Sequence, residues 1–224
     1  MTTPAGKRNS GRLFSTYESL LSEFGPQGWW PTISSQPSVP GFAYHPGDYS
    51  FPRTEEERFE ITAGALLTQN TSWKNAEKAL LNLHNSGNLS PEKILSLPLL
   101  ELETLIRPSG YFRQKARRLK TLSEAYLKAD EDAETEVLRE YFLSINGVGP
   151  ETADSILLYA YRRPVFVIDA YTRRMCASLG LFHGRDYEES RSFFEAGLPR
   201  DYRIFNEFHA LIVEWGKRNP AKPI

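Results

Sequence analysis

Every persistent hydrophobic pattern in this 224-residue sequence has the period of an α-helix. The last such segment places Phe208, Leu211 and Trp215 on one stripe, three and four positions apart. Proline and glycine separate the helical segments, and Pro150 stands at a first helical position. The sequence therefore predicts an all-α fold, a helical bundle of two lobes with a cleft between them.

The two lobes are predicted to be discontinuous along the chain. Residues from about 30 to 135 form a central helical lobe, and residues 1–29 with 136–224 form a second lobe that carries a turn at 145–149. The stretch 29–52 is rich in proline and aromatic residues, which favours a packed irregular loop. We expect residues 1–224 to act as one unit.

The overall charge of the chain does not indicate a nucleic-acid partner. Twenty-seven Lys and Arg residues balance 28 Asp and Glu residues, so DNA would have to bind a local basic patch. The basic residues available for such a patch are Arg113, Lys115, Arg117, Arg118, Lys120, Arg162, Arg163, Arg173 and Arg174. The alternative is a solvated charged face.

The single cysteine, Cys176, excludes an intramolecular disulfide, a four-cysteine zinc site and a cysteine-held iron-sulfur cluster. It fits a reducing, cytoplasmic compartment. No apolar run approaches the roughly 20 residues that a membrane helix needs, and the stretch MTTPAGKRNS lacks the apolar core of a signal peptide. We expect no membrane association.

A glycine-rich turn, Ile145-Asn146-Gly147-Val148-Gly149, separates two helical patterns. Two glycines one residue apart let the backbone turn sharply and expose its N–H groups. Beside the positive end of the helix that starts at Pro150, such a hairpin can bind a DNA phosphate without reading sequence. A tight turn with no ligand is the alternative.

Asp169 ends the apolar run Val165–Ile168 and stands where the N-cap of the next helix would stand. Capping alone is a sufficient role for an isolated aspartate. A capping carboxylate at the edge of a cleft would also be held in a fixed position, which is what a catalytic carboxylate needs. The two roles are compatible.

The segment INGVGPETADSILLYAYRRPVFVIDAYTRRM resembles the helix-hairpin-helix DNA glycosylases related to endonuclease III, whose signature is a glycine hairpin followed by Val-Asp before a helix. The resemblance runs from about Phe59 to Leu181. GWWP at 28–31, LLTQNTSW at 66–73, RPSGYFRQKARRL at 107–119 and FHALIVEWGK at 208–217 are similar to the 3-methyladenine glycosylase branch. The resemblance implies that Asp169 is the catalytic residue. It also implies that the DNA backbone is contacted by Asn146, Gly147, Val148, Gly149 and Arg117.

Bifunctional members of that family carry a lysine two residues beyond the second hairpin glycine, and this chain has Glu151 there. Without that amine no Schiff base with the sugar can form, which predicts hydrolysis without strand cleavage. The cysteine quartet of many relatives is also missing. The resemblance thus implies no iron-sulfur cluster, and a monovalent cation held by hairpin carbonyls is the only cofactor expected.

Trp30, Pro31 and Trp73 are the predicted base pocket. An N-alkylated purine is cationic, so an indole on each of its two faces would attract it by roughly 0.5 to 2 kcal/mol per face. Charge on the base also weakens its bond to the sugar, so little acid catalysis is needed. Tryptophans that only pack a core are the alternative.

Two further residues have roles implied by the resemblance. Gln69 matches the residue that fills the gap left by a flipped base, although an exposed turn glutamine is equally compatible. Lys217 is similar to a lysine that becomes carbamylated, for which a partly buried ammonium is the physical precondition. An ordinary solvated lysine near a helix C-terminus is the alternative.

These features predict a monomeric, monofunctional glycosylase that removes alkylated purines, such as 3-methyladenine, from double-stranded DNA in base excision repair. A glycosylase-lyase for oxidised pyrimidines is a second interpretation. A helix-hairpin-helix DNA-binding protein without catalysis is a third, although such a module needs neither the carboxylate nor the aromatic pocket.

Overall fold

The computed structural model describes residues 4–33, 41–184 and 186–220, with side chains from residue 11 onward. The helices of these residues, in chain order, are α1 (Pro4–Phe24), α2 (Glu55–Leu67), α3 (Trp73–Asn85), α4 (Pro91–Ser96), α5 (Leu99–Leu105), α6 (Phe112–Lys128), α7 (Thr135–Leu143), α8 (Pro150–Ser155), α9 (Ala170–Leu179), α10 (Tyr187–Gly197) and α11 (Tyr202–Arg218). The predicted all-α class is confirmed. No helix within the described ranges is both long enough and apolar enough to span a membrane.

One short two-stranded ribbon interrupts the helical pattern. Strand β1 (Thr32–Ile33) pairs antiparallel with β2 (Phe42–Ala43), and Thr32 lies opposite Ala43. The ribbon falls in the stretch predicted to be an irregular loop. Two-residue strands are too short for alternation to show in sequence.

The described residues separate into two compact units. Among the described residues, the terminal unit draws on 4–29, 45–49, 162–184 and 186–220, and the central unit on 30–33, 41–44 and 50–161. The predicted division put 136–161 with the C-terminal helices, whereas the structure groups these residues with the central unit. The reason is packing, since α7 and α8 contact each other and α8 contacts α2.

The central unit is organised around α2, in which every residue from Phe59 to Leu67 is buried. A helix that is buried on all sides shows little amphipathic periodicity and needs a strong local start signal. Thr54 and Glu57 provide it with a reciprocal capping box. After Ser155, α8 widens into a π-helical turn at Ile156–Ala160, which packs on α2.

The terminal unit is built on α11, which packs against α1 and α9. Residues from Phe205 to Val213 are all buried. The apolar run Val165–Ile168 is buried without forming a strand, and Phe166 stacks on Phe194 with 4.2 Å between ring centroids. This buried run anchors the chain immediately before Asp169.

Candidate active site

Asp169 caps the N-terminus of α9, as predicted. Its Oδ1 accepts a hydrogen bond of 2.7 Å from the backbone N–H of Thr172. The side chain is 13% exposed, so it is enclosed but not fully buried. The buried run before it and the helix after it fix its position from both sides.

His209 of α11 faces the second oxygen of this carboxylate. His209 Nε2 lies 3.6 Å from Asp169 Oδ2, and the histidine side chain is only 6% exposed. Burial by itself raises the pKa of Asp169, but interactions with His209 and Thr172 outweigh burial and hold the pKa below its usual range. Asp169 therefore stays negatively charged at neutral pH despite its enclosure.

Trp29 lies beside His209 and forms a cluster with His209 and Asp169. Its indole meets the His209 ring edge to face, with 6.5 Å between centroids, and Lys217 Nζ lies 5.8 Å from the indole centroid on its face. The sequence prediction chose Trp30 from the GWWP stretch and did not single out His209. Trp29 and His209 both lie in stretches that carry the family resemblance. Nothing in the sequence shows, however, that His209 faces Asp169.

The predicted base-pocket residues Trp30, Pro31 and Trp73 lie in the central unit. The Trp30 and Trp73 rings pack edge to face at 5.2 Å with an interplanar angle of 87°. Tyr159 and Phe42 contact the same pair, and Trp30 and Pro31 are buried. A base stacked on two rings needs them parallel and about 7 Å apart, twice a contact distance of about 3.5 Å. The expected arrangement on opposite faces of one base is therefore not the one found.

A buried carboxyl that sequence reasoning missed lies beside this aromatic group. Glu60 on α2 accepts a 2.7 Å hydrogen bond from the backbone N–H of Ile33 in β1, and its burial raises its pKa to about 8. One turn further along α2, Gly64 leaves room for the Trp30 indole, which would lie 3.4 Å from an added Cβ. Glu60 and Gly64 together seat the ribbon and Trp30 on α2.

The hairpin 145–149 is present and anchored by its buried Ile145 and Val148. Gly147 has φ of +89°, a conformation that L side chains rarely adopt, whereas Gly149 has φ of −90° and is the N-cap of α8. Gln69 Nε2 donates to the Gly147 carbonyl at 3.0 Å and to Thr152 Oγ1 at 2.9 Å. These bonds tie the predicted wedge residue to the hairpin, and its role in filling a flipped-base gap stays a prediction.

A basic surface lies next to the hairpin. It is a shallow depression of about 530 Å³ lined by Arg113, Gln114, Arg117, Arg118, Thr121 and Asn146. Arg117 is exposed there, as a phosphate contact requires. Tyr111, at the start of α6, is 71% exposed and held in the left-handed conformation at φ of +46°.

Two lysines of the predicted basic series do not belong to that surface. Lys115 is 2% exposed and donates to the carbonyls of Leu67 and Ser109. Burial lowers its pKa to about 8. Lys120 donates to the carbonyls of Leu95 and Leu97. Both ammonium groups satisfy main-chain carbonyls at or near helix ends, which corrects the phosphate role expected for them.

Lys217 is half exposed, at 51%, with Nζ 3.8 Å from Glu214 Oε2. The prediction of a carbamylated lysine required a partly buried ammonium, and the structure provides only this half-open, ion-paired environment. Glu151, at the position where bifunctional relatives have lysine, lies exposed in the first turn of α8.

The chain also matches known proteins in sequence and in structure. The model for the HhH-GPD superfamily base excision DNA repair proteins matches residues 63–200. A Methanocaldococcus jannaschii protein named as a candidate DNA repair glycosylase is 43% identical over 92% of this chain and 87% of its own length. Endonuclease III of Thermotoga maritima is 29% identical over 78% of this chain and 82% of its own.

Among solved structures, the 3-methyladenine DNA glycosylase MagIII of H. pylori, bound to 1,N6-ethenoadenine, superposes with a TM-score of 0.71 at 30% identity. The match covers 96% of this chain and 99% of that one. The predicted resemblance is confirmed: the chain belongs to the DNA glycosylases of the HhH-GPD superfamily of base excision DNA repair proteins.

Proposed function

We propose that this protein is a monofunctional DNA glycosylase that flips an alkylated purine, such as 3-methyladenine, out of double-stranded DNA and hydrolyses its N-glycosidic bond. The observation that carries the proposal is the Asp169 carboxylate, which is kept ionised by Thr172 and His209 while its side chain remains 13% exposed.

Asp169 supplies the negative charge that the reaction needs. As the bond to the base breaks, the sugar acquires oxocarbenium character, and a fixed carboxylate stabilises that positive charge. The same carboxylate can orient the attacking water. Its position at a helix cap requires no reorganisation at the moment of reaction, which is where preorganised electrostatic catalysis gains its advantage.

An alkylated purine suits a site with this single carboxylate. The positive charge on such a base makes it a good leaving group, so hydrolysis requires no strong acid at the base. The half-buried Trp29 indole lies in the same unit as Asp169 and offers an electron-rich surface. Trp30, Pro31 and Trp73 remain the proposed base pocket, and entry of a base there would require the two indoles to leave their edge-to-face packing. The similarity to MagIII supports a modified purine as the substrate, since that protein is named a 3-methyladenine DNA glycosylase and its structure is bound to 1,N6-ethenoadenine.

DNA binding is assigned to the hairpin Asn146–Gly149 and the basic depression beside it. Exposed arginines there neutralise phosphates locally while the net charge of the chain remains −1. Tyr111 and Gln69 are the two side chains proposed to meet unstacked bases, Tyr111 because an exposed aromatic ring is a stacking platform. The proposal includes no iron-sulfur cluster. It does include a monovalent cation bound by the hairpin carbonyls.

Base release resolved by product tests the proposal. Duplex DNA alkylated with a methylating agent is incubated with excess protein, and freed bases are separated by chromatography. Release of 3-methyladenine with no strand cleavage is expected. Release of oxidised pyrimidines from a parallel sample of oxidised duplex DNA, together with a borohydride-trapped covalent adduct on abasic DNA, would instead support the glycosylase-lyase interpretation that the similarity to endonuclease III favours. Binding without release of any base would support the non-catalytic alternative.

A further inference from the structure

We propose that His209 is a positioning residue for the Asp169 carboxylate, holding its Oδ2 in the orientation needed to face the sugar. This inference rests on the proposed function and extends it to a residue 40 positions away in the chain, on a different helix.

The two carboxylate oxygens of Asp169 have different neighbours. Oδ1 is committed to the cap, since the Thr172 N–H donates to it at 2.7 Å. Oδ2 takes no part in that hydrogen bond and faces His209 Nε2 at 3.6 Å. A carboxyl group held by one oxygen can still rotate about its bond to Cβ, and a contact to the second oxygen restricts that rotation. His209 therefore sets the plane of the carboxylate.

The imidazole is itself held rigidly. It lies on the buried face of α11, which packs against α9. Two aromatic rings meet it edge to face, Phe166 and Trp29, each with 6.5 Å between centroids. A side chain enclosed in this way is locked by its neighbours, which is the arrangement that precise positioning requires.

Several ionisable groups lie on the helices around Asp169 and His209. Among them, His209 has the strongest effect on the charge of Asp169. On α9, Arg173 lies over the Tyr187 ring and Arg174 donates to the Gly216 carbonyl. On α11, Glu207 accepts from Gln27 and Tyr49, and on the far side Lys217 lies over Trp29. Of these groups, His209 has the largest effect on the Asp169 charge, and it lowers the pKa of that carboxyl.

Two substitutions separate positioning from packing. His209→Phe keeps a buried aromatic ring and removes the nitrogen, whereas His209→Gln restores a nitrogen donor near the position of Nε2. His183→Gln is the matched control, because His183 is an exposed histidine of the same unit. All four proteins are compared by thermal unfolding, by affinity for duplex DNA with an abasic-site analogue, and by single-turnover release of 3-methyladenine.

His209→Phe is expected to lower the release rate about 10- to 100-fold at neutral pH, the range of a single catalytic interaction, with DNA affinity within about twofold of wild type. His209→Gln should recover a substantial part of the loss, and His183→Gln should match wild type. A wild-type rate for His209→Phe, no recovery with His209→Gln, or a loss of DNA affinity equal to the loss of rate would each overturn the inference.

A readout independent of activity distinguishes failure of this inference from failure of the proposed function. The carboxyl carbon of Asp169 is followed by NMR while pH is changed in wild type and His209→Phe. The Asp169 pKa should rise in the variant, because a buried carboxylate loses the group that favours its charged form. An unchanged titration rejects the pairing. If the titration shifts but wild type releases no base, the pairing stands and the proposed function is wrong.

Discussion

The N-termini of α8 in the central unit and α9 in the terminal unit are built in opposite ways. Helix α9 is capped by Asp169, which brings its own negative charge to the positive end of the helix. Helix α8 is capped by Gly149, which has no side chain and is followed by Pro150, which has no N–H. The first arrangement holds an internal anion in place, and the second leaves room for an external one. We propose that the same backbone feature, within one chain, serves catalysis at one position and DNA phosphate binding at the other.

Removing the internal anion should have the largest effect. Asp169→Asn keeps an oxygen that can cap α9, so the fold is expected to persist, while base release falls by about 100-fold or more because the stabilising charge is gone. Single-turnover release from methylated DNA measures this, with abasic-site affinity as the check on binding.

Asp186→Asn is the matched control for that substitution. Asp186 also caps a helix of the terminal unit, accepting from the N–H of Glu189 at 2.9 Å, but has no assigned part in the reaction. Its variant should release base at the wild-type rate. Equal losses in the two variants would mean that Asp169 only stabilises its helix.

Filling the space at the N-terminus of α8, where we propose that a DNA phosphate binds, should have the next largest effect. Gly149→Ala adds a Cβ where nothing lies within 4 Å and where φ of −90° suits any residue. Stability should be nearly unchanged, and DNA affinity should fall about 10-fold if a phosphate approaches this cap. Fluorescence anisotropy with duplex DNA measures the affinity.

Gly147→Ala provides the contrast. At φ of +89° an added Cβ would also lie 2.3 Å from Arg118, so this variant should lose about 1 to 3 kcal/mol of folding stability. Urea unfolding measures the loss. If Gly149→Ala binds DNA as tightly as wild type, the open helix start is not a phosphate site.

The two units also differ in the direction in which they shift the pKa of a buried carboxyl group. Surroundings lower the pKa of Asp169 but raise that of Glu60 to about 8, where burial is the main cause. A raised pKa contributes stability in acid that is lost as pH rises from the ordinary glutamate value of about 4.3 through 8. Glu60→Gln should remove that loss, which would reach about 5 kcal/mol for a pKa difference of this size. Urea unfolding between pH 5 and 9, in steps of about one unit, checks the slope; parallel wild-type and variant curves would contradict it.

The smallest expected effect concerns single surface cations. Arg117→Ala should weaken DNA binding and lower the slope of log affinity against log salt by about one, because one phosphate contact is lost. Lys120→Ala removes a cation from the same helix that instead donates to the carbonyls of Leu95 and Leu97. Its loss should appear in thermal stability and leave the salt slope unchanged. Identical salt slopes for both variants and wild type would exclude Arg117 from the interface.

Helix positions and the cap at Asp169 were accessible from sequence because they depend on local signals. The sequence places Pro150 at a first helical position, and α8 begins there. Periodicity, proline, glycine and capping residues act within a few positions of one another, so they can be recognised before tertiary contacts are known. The hairpin glycines and the missing lysine at Glu151 are equally local.

The partners of these residues were decided only by the tertiary structure. Trp30 and Trp73 pack edge to face, His209 meets Asp169, and Glu60 receives the N–H of Ile33. Lys115 and Arg117 look alike in sequence, yet one is enclosed and satisfies carbonyls while the other is exposed. Burial and side-chain orientation depend on contacts between residues far apart in the chain, so sequence determined which chemical groups are present, and packing determined which of them meet.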